Sequence, residues 1–222
     1  MIKAGGVGRG LTREQIVAAA FEVLDEHGLD GLTMRRVAGR LGVQAAALYW
    51  HVSDKADLLD EMGTSMWRAA TVPLFHEPDQ DVARGLTNAA RSLRATMLAH
   101  RDGATVFAGR RLTDVGLIQV QERPLAALVE AGRSLEDVLD TWQIVMHFTI
   151  GWTAEEQGVR QARDADPDSY DLAERDARIG AEDHPLMAQA GRLMFADPEA
   201  RFESVLARLV GALTGNLGRR PR

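Results

Sequence analysis

The residue types that could carry chemistry are sparse in this chain, and they concentrate in one short block. No cysteine occurs in its 222 residues, which excludes disulfides, thiolate nucleophiles and cysteine-ligated zinc or iron–sulfur sites. Gly-x-Ser-x-Gly, His-Glu-x-x-His and P-loop patterns are absent, and no pair of acids stands out, so no catalytic residue, metal ligand or cofactor is expected. What remains is the stretch TMRRVAGRLGVQAAALYWHVSDK, Thr33 to Lys55. It holds four cations (Arg35, Arg36, Arg40 and Lys55) and one anion, Asp54. Residues 72–222 hold 18 basic and 23 acidic side chains, and the whole chain carries a net charge of −6. A small positive island on an acidic body attracts phosphate at one end only. A chain that coats nucleic acid indiscriminately needs basic charge along its length, and this one lacks it.

The elements that must position this block read as helices. Apolar residues make up 45% of the chain but aromatic residues only 5%, while β-branched and aromatic side chains are what strands require. Thr12 and Gln15 form a capping box ahead of an apolar face of Ile16, Ala19, Ala20, Val23 and Leu24, and Gly28 stands where a left-handed cap is expected. A second, short helix starts at Thr33, with Leu32 and Val37 at hydrophobic-staple spacing, and stops at Gly42. A third is expected over Gln44 to His51, and a fourth from Ser53 or Asp54 to Thr71, with Pro73 beyond its end. Longer helices follow over about 81–100, 113–131 (with Pro124 as a kink), 135–157, 185–195 and 199–217. Residues 158–183, with eight acids, four arginines and Pro167, read as a long mobile acidic loop. The class is all-α: residues 1–11 as a flexible tail, 12–58 as a small three-helix domain, and 59–222 as a larger helical domain. Met1 to Gly10 has no apolar core, and no apolar run approaches the roughly 20 residues that span a bilayer, so a cytoplasmic location with no membrane partner is expected. Gly5, Gly6, Gly8 and Gly10 follow no strand, which argues against a phosphate-cradling loop.

Two short helices around Gly42-Val43 have the form of a helix-turn-helix. Ala38 is small enough to let the helices cross closely, and Gly42 takes a backbone conformation that side chains disfavour. Val37, Leu41, Val43 and Leu48 would close a small core. The third helix would then enter a major groove, with Arg35, Tyr49, His51 and Lys55 reaching phosphates or bases. An ordinary pair of short helices in a bundle would show the same apolar spacing, though not the charge island.

The block from Gly31 to Leu59, with Leu48-Tyr49-Trp50-His51-Val52, Lys55 and Leu58-Leu59, resembles the DNA-binding domain of the TetR family. His100-Arg101-Asp102-Gly103-Ala104 and His147-Phe148-Thr149-x-Gly151 are similar to segments of the tetracycline repressors' ligand-binding domain. The resemblance implies a homodimer, a pseudo-palindromic double-stranded operator and a repressor released by a small-molecule effector, with 12–58 as the helix-turn-helix DNA-binding domain and 59–222 as the ligand-binding and dimerisation domain. It implies dimerisation through a four-helix bundle of the 135–157 and 199–217 helices of both protomers, with Phe148 on the first. Phe202, Val205, Leu206, Leu209, Val210 and Leu213 are too apolar for a solvent-facing terminal helix and fit that bundle, although they would also serve as a monomer's core.

This sequence departs from the tetracycline repressors at both sites. Ala45, Ala46 and Ala47 stand where the relatives carry polar and proline residues, so reading there reduces to apolar contact, and Arg35, Gln44 and His51 are left to discriminate bases. Tyr49, His51 and Lys55 match family positions on the DNA backbone. Phe107 and Thr71 align with the histidines that hold magnesium and drug. Phenylalanine cannot ligate a metal and Arg110 repels one, so a small, mostly apolar effector is expected in place of tetracycline–magnesium. Its pocket is expected from Leu93, Met97, Phe107, Trp142 and Trp152, with Arg110 and Glu155 as polar anchors; the same residues would equally serve as core or as a surface ion pair. His147, alone on an apolar helix, reads more readily as a hydrogen-bonded core residue than as a ligand. The competing class is a helical ligand-binding protein or enzyme with vestigial DNA binding.

Overall fold

The computed structural model describes residues 10–71 and 81–216, and every regular element among them is helical. In order these are α1 (Arg13–Gly31), α2 (Met34–Leu41), α3 (Ala45–Leu48), α4 (Lys55–Thr71), α5 (Val82–Leu98), α6 (Gly103–Phe107), α7 (Val115–Gln119), α8 (Glu122–Glu130), α9 (Leu135–Ala165), α10 (Leu172–Ile179), α11 (Pro185–Phe195) and α12 (Pro198–Asn216), with a 3₁₀ turn at Pro167–Tyr170 between α9 and α10. The glycines of the N-terminal tail before Gly10, Pro73 and Leu217 lie outside the described residues.

Local chemistry sets the helix starts. Thr12 accepts from the Gln15 backbone N–H while Gln15 Oε1 accepts from the Thr12 N–H at 2.9 Å, the reciprocal pair of a capping box. Asp54 caps α4 by accepting from the Asp57 N–H at 2.8 Å, and Asp57 accepts in return from the Ser53 N–H at 2.8 Å. Ser134 caps α9 through the Asp137 N–H at 3.0 Å. Near the end of α1 the chain bends at Gly28, whose φ is +69°.

Three expectations are corrected by the backbone. The 113–131 helix is two short ones, α7 and α8, because Pro124 lies in the first turn of α8, where its missing N–H is not needed and a preceding helix cannot continue through it. The acidic stretch 158–183 is largely helical. There α9 runs on to Ala165, and α10 is capped by Asp171 through the Glu174 N–H at 2.8 Å and ends at Gly180 with φ +65°. Arg192 satisfies Asp176 of α10 at 2.6 Å, so this charge is paired across to α11. The third helix is also shorter than expected: α3 ends at Leu48 and turns carry the chain through His51.

One continuous core links the two ends. Ile16, Leu24, Leu48, Leu58 and Met62 fill the α1–α4 end, and Leu93, Met97, Val145, Phe202 and Leu206 fill the α5–α9–α12 end. α4 packs on α1 at one end and on α5 and α6 at the other. Within this core the α5 guanidinium of Arg94 is bidentate to Glu156 of α9 at 3.0 and 3.1 Å, bonds Glu199 of α12 at 2.5 Å, and lies 4.8 Å from the Phe202 ring centroid. Buried charges require this kind of pairing, and losing one partner from such a pair costs about 3–5 kcal/mol. Among the described residues no helix is long and apolar enough to cross a membrane.

Candidate nucleic-acid interface and effector cleft

The helix-turn-helix is held by buried residues at fixed spacing. Thr33 caps α2 through the Arg36 N–H at 3.3 Å, and α2 ends at Gly42 with φ +68°, which sends the Val43 N–H back to the Ala38 carbonyl at 3.0 Å. Val37, Ala38, Leu48 and Val52 are buried beneath the turn. Outward stand Arg35, Gln44, Ala46, Tyr49 and Trp50, with Ala45, Ala47 and His51 partly exposed. Trp50 is 88% exposed, a large aromatic surface next to Tyr49 that the sequence reading left out.

The four cations of this block are not equivalent. Arg40 is held by Glu22 at 3.1 Å and by Glu26, and the bond to Glu26 is the first cause of the lowered Glu26 pKa. Arg36 donates to the Gly31 carbonyl at 2.6 Å. Lys55 Nζ donates to the Leu29 carbonyl at 3.1 Å, tying α4 to the end of α1. Arg35 has no hydrogen-bonded partner among the described residues and is exposed.

Polar contacts join this unit to the body at the turn between α5 and α6. Asp25 of α1 accepts from the Arg101 N–H at 2.9 Å and lies 3.0 Å from His100 Nδ1, while Phe21 stacks on the His100 ring at 4.1 Å. Asp102, at φ +56°, accepts from the Leu29 N–H at 2.8 Å and from Gln161 Nε2 of α9 at 2.7 Å. Gln157 of α9 donates to the carbonyls of Met97 and His100 and accepts from the Ala104 N–H at 2.9 Å. Gly103 permits this turn, since a Cβ there would collide with the Met97 carbonyl.

A cleft of about 270 Å³ opens between α4, α6 and α9, lined by Trp67, Phe107, Arg110, Trp142, Met146 and His147 among others. Of the expected pocket residues it brings together Phe107, Arg110 and Trp142. The others do not line it within one protomer. Leu93 and Met97 point into the core and are 1% and 0% exposed. Thr71 is buried and donates to the Trp67 carbonyl at 2.8 Å. Trp152 packs on Phe148 and Phe202, away from the cleft, and Glu155 is exposed on α9. His147 is exposed at the cleft and is not a core residue. Trp67, Gln143, Met146 and Ile150 were missed; α9 positions 143, 146, 147 and 150 follow the i, i+3, i+4, i+7 face of a helix, the signal that could have found three of them from Trp142 and His147.

Phe202, Leu206 and Val210, read as interface candidates, are 0%, 0% and 3% exposed within one protomer, and Phe148 stacks on Phe202 at 5.7 Å. The three buried residues are protomer core, while Phe148 is half-buried against them. Val205, Leu209 and Leu213 remain partly exposed on α12.

Comparison with known proteins decides the kinship. Residues 16–62 match the bacterial regulatory proteins of the tetR family, and residues 74–214 match the tetracyclin repressor-like C-terminal domain. The chain belongs to the TetR family. It is 37% identical over 202 residues to the class A tetracycline repressor protein of transposon 1721 from Escherichia coli, covering 89% of this chain and 88% of that one. A possible TetR family transcriptional regulator from Streptomyces coelicolor A3(2) superposes with a TM-score of 0.75 at 34% identity, covering 91% of this chain and 98% of that one. TetR(class A) in complex with 5a,6-anhydrotetracycline and magnesium superposes with a TM-score of 0.67 at 32% identity, over 92% and 99% of the two chains. These TetR-family relatives are regulators of transcription.

A divalent cation does not fit this member's cleft. Among the described residues no carboxylate lines it and no three His, Asp or Glu side chains cluster as a metal site, while Arg110 places a fixed positive charge in it. Magnesium favours carboxylate oxygens, and Gln143 offers the one side-chain oxygen in the described lining.

Proposed function

We propose that the chain is a homodimeric repressor that holds a pseudo-palindromic operator through α3 and is released from it by a small organic effector bound in the α4–α6–α9 cleft. The observation that carries this reading is the hydrogen-bonded bridge Leu29–Asp102–Gln161, which connects the end of α1 to the helix that forms one wall of the cleft. An effector that shifts α9 or α6 then has a direct mechanical connection to the DNA-binding unit. Ligand shifts the population towards a dimer whose α3 helices no longer match major grooves about 34–36 Å apart. The reading needs no catalytic step, metal or cofactor, and operator binding places the protein in the cytoplasm. Residues 12–58 form the DNA-binding unit, and residues from 59 onward bind effector and partner.

Base and phosphate contacts fall to Arg35, Gln44, Tyr49, His51 and Lys55, with Ala45, Ala46 and Ala47 offering apolar contact to thymine methyls. Lys55 uses one of its three protons on Leu29, which leaves two for a phosphate.

Dimerisation through α9 and α12 is supported by glycines rather than by large side chains. A Cβ added at Gly151, Gly158 or Gly211 would meet nothing within 4 Å, so no contact inside the protomer accounts for them. A glycine inside a helix costs about 1 kcal/mol relative to alanine. Their exposed faces also carry Ile144, Ala154, Ala207 and Ala212, and such surfaces let a partner's helices approach closely. Val205, Leu209 and Leu213 border this face.

Selection of bound sequences from a random duplex library, followed by a salt titration on the winner, tests the reading. A pseudo-palindrome bound at least 10³-fold more tightly than random duplex is the expected result. Failure to enrich any sequence removes the operator-binding reading and favours a ligand-binding or catalytic protein with vestigial DNA binding, which turnover of a cleft ligand would then reveal.

A further inference from the structure

The cleft's polar lining is unbalanced. Among the described residues Arg110, His147 and Gln143 border it, and neither Asp nor Glu does. Arg110 Nε is fixed by the Val106 carbonyl at 2.9 Å, and among the described residues nothing accepts from its two terminal nitrogens. Gly63 makes room for the arginine stem: a Cβ there would lie 2.8 Å from both Cβ and Cγ of Arg110. A guanidinium that is positioned, partly exposed and unpaired is a fork for a planar anion.

The remaining walls are aromatic. Trp67 lies nearly parallel to Phe107 with centroids 6.0 Å apart and edge-on to Trp142 at 5.9 Å. Flat ligands stack on or meet the edges of such rings. Trp67 Nε1 is buried without an acceptor, so this wall too is short of acceptor atoms. At about 270 Å³ the cleft is below the roughly 300–1,000 Å³ typical of sites for drug-sized molecules, which limits the ligand to a few rings.

We propose that the cleft takes a small planar aromatic carboxylate, its anion held by Arg110 and its rings by Trp67, Phe107 and Trp142, without a divalent cation. This rests on the reading of the cleft as the effector site and names the chemistry of the effector. The carboxylate supplies two acceptor oxygens to the arginine terminus, and the rings replace water against apolar surface.

Calorimetric titration of the full-length protein in EDTA with 2-naphthoate, 2-naphthamide and 2-naphthylmethylammonium separates charge from ring. The carboxylate should bind about tenfold or more tightly than the amide, the scale of one charge-assisted contact, and the ammonium should bind weakest. Arg110→Gln should remove the preference. Arg111→Gln, which changes a neighbouring exposed arginine paired with Asp60, should leave it intact. Equal affinity for carboxylate and amide, no binding by any of the three, retention of the preference in Arg110→Gln, or a requirement for magnesium overturns the proposal. Release of the selected operator is followed in the same titrations. Arg110-dependent naphthoate binding without release overturns the effector reading and leaves the anion site standing. Release by the amide or ammonium alone does the reverse.

Discussion

Asp102 accepts a hydrogen bond from the backbone N–H of Leu29 at 2.8 Å, although 73 residues separate them in sequence. Its other carboxylate oxygen accepts from Gln161 at 2.7 Å, so one side chain bonds α1 and α9 together. The residue takes φ +56°, a left-handed conformation that Asp and Asn tolerate better than other L-residues. Asp102→Asn should therefore keep the turn while losing one of the two acceptor oxygens. We expect a loss of about 1–3 kcal/mol in thermal unfolding and a reduced response of operator affinity to effector, with ligand affinity in the cleft itself little changed. Unaltered effector response in a variant with weakened unfolding would restrict Asp102 to a structural role.

The cations of the helix-turn-helix should separate in a salt titration. Arg35 is exposed and unpaired, whereas Arg40 is engaged by Glu22 and Glu26. Arg35→Gln should lower the slope of log affinity against log salt by about 0.9, one phosphate's share, and Arg40→Gln should leave it nearly unchanged. Lys55→Met should lower the slope by a similar amount. An unchanged slope there would confine Lys55 to its bond with Leu29.

The glycine-lined faces of α9 and α12 lead to a bulk test. Gly211→Leu adds a side chain where the protomer has open space, so the folded monomer should tolerate it. Sedimentation equilibrium should show a dimer weakened by at least about tenfold, with operator affinity falling alongside it, because the two recognition helices need to be joined. A Gly211→Leu protein that remains a tight dimer would move the interface elsewhere.

Acid should loosen the packing of α12 on α5. Arg91 is bidentate to Glu203, at 2.8 and 2.5 Å, and this bond is the first cause of a Glu203 pKa held below the ordinary 4.5. A carboxylate with a depressed folded pKa contributes stability that is complete above its unfolded value and is lost as pH falls through the folded one. Wild type should thus lose its advantage over Glu203→Gln in thermal unfolding as pH drops below about 4.5. A difference between the two proteins that is constant from neutral to acid pH would contradict this.

The parts of the fold legible in the sequence are those with local causes. Thr12 with Gln15, Thr33 and Gly42 announce their helix ends because the groups that satisfy the backbone lie within three or four residues. The 158–183 stretch misled because its charge count masked equally local signals: Asp171 as a cap and Gly180 as a terminator were both present. The cleft and the interface could not be read the same way. Phe202 looks like an interface residue until Arg94, Phe148 and Trp152 are seen to cover it, and those three come from two other helices. Conversely, nothing in the spacing of Trp67, Phe107 and Trp142 announces that their rings meet. Kinship to relatives with a drug-and-metal site brought Thr71 and Glu155 into the expected pocket, and neither lines the cleft within one protomer.

Operator affinity measured with and without a bound cleft ligand tests the central claim most directly. The selected pseudo-palindrome should be held as a 2:1 complex of protein to duplex at fixed salt. A saturating cleft ligand should weaken it by roughly 5- to 150-fold, the span of 1–3 kcal/mol of coupling. Equal affinity for the operator in the ligand-bound and ligand-free states, with ligand occupancy verified by calorimetry, would contradict the account.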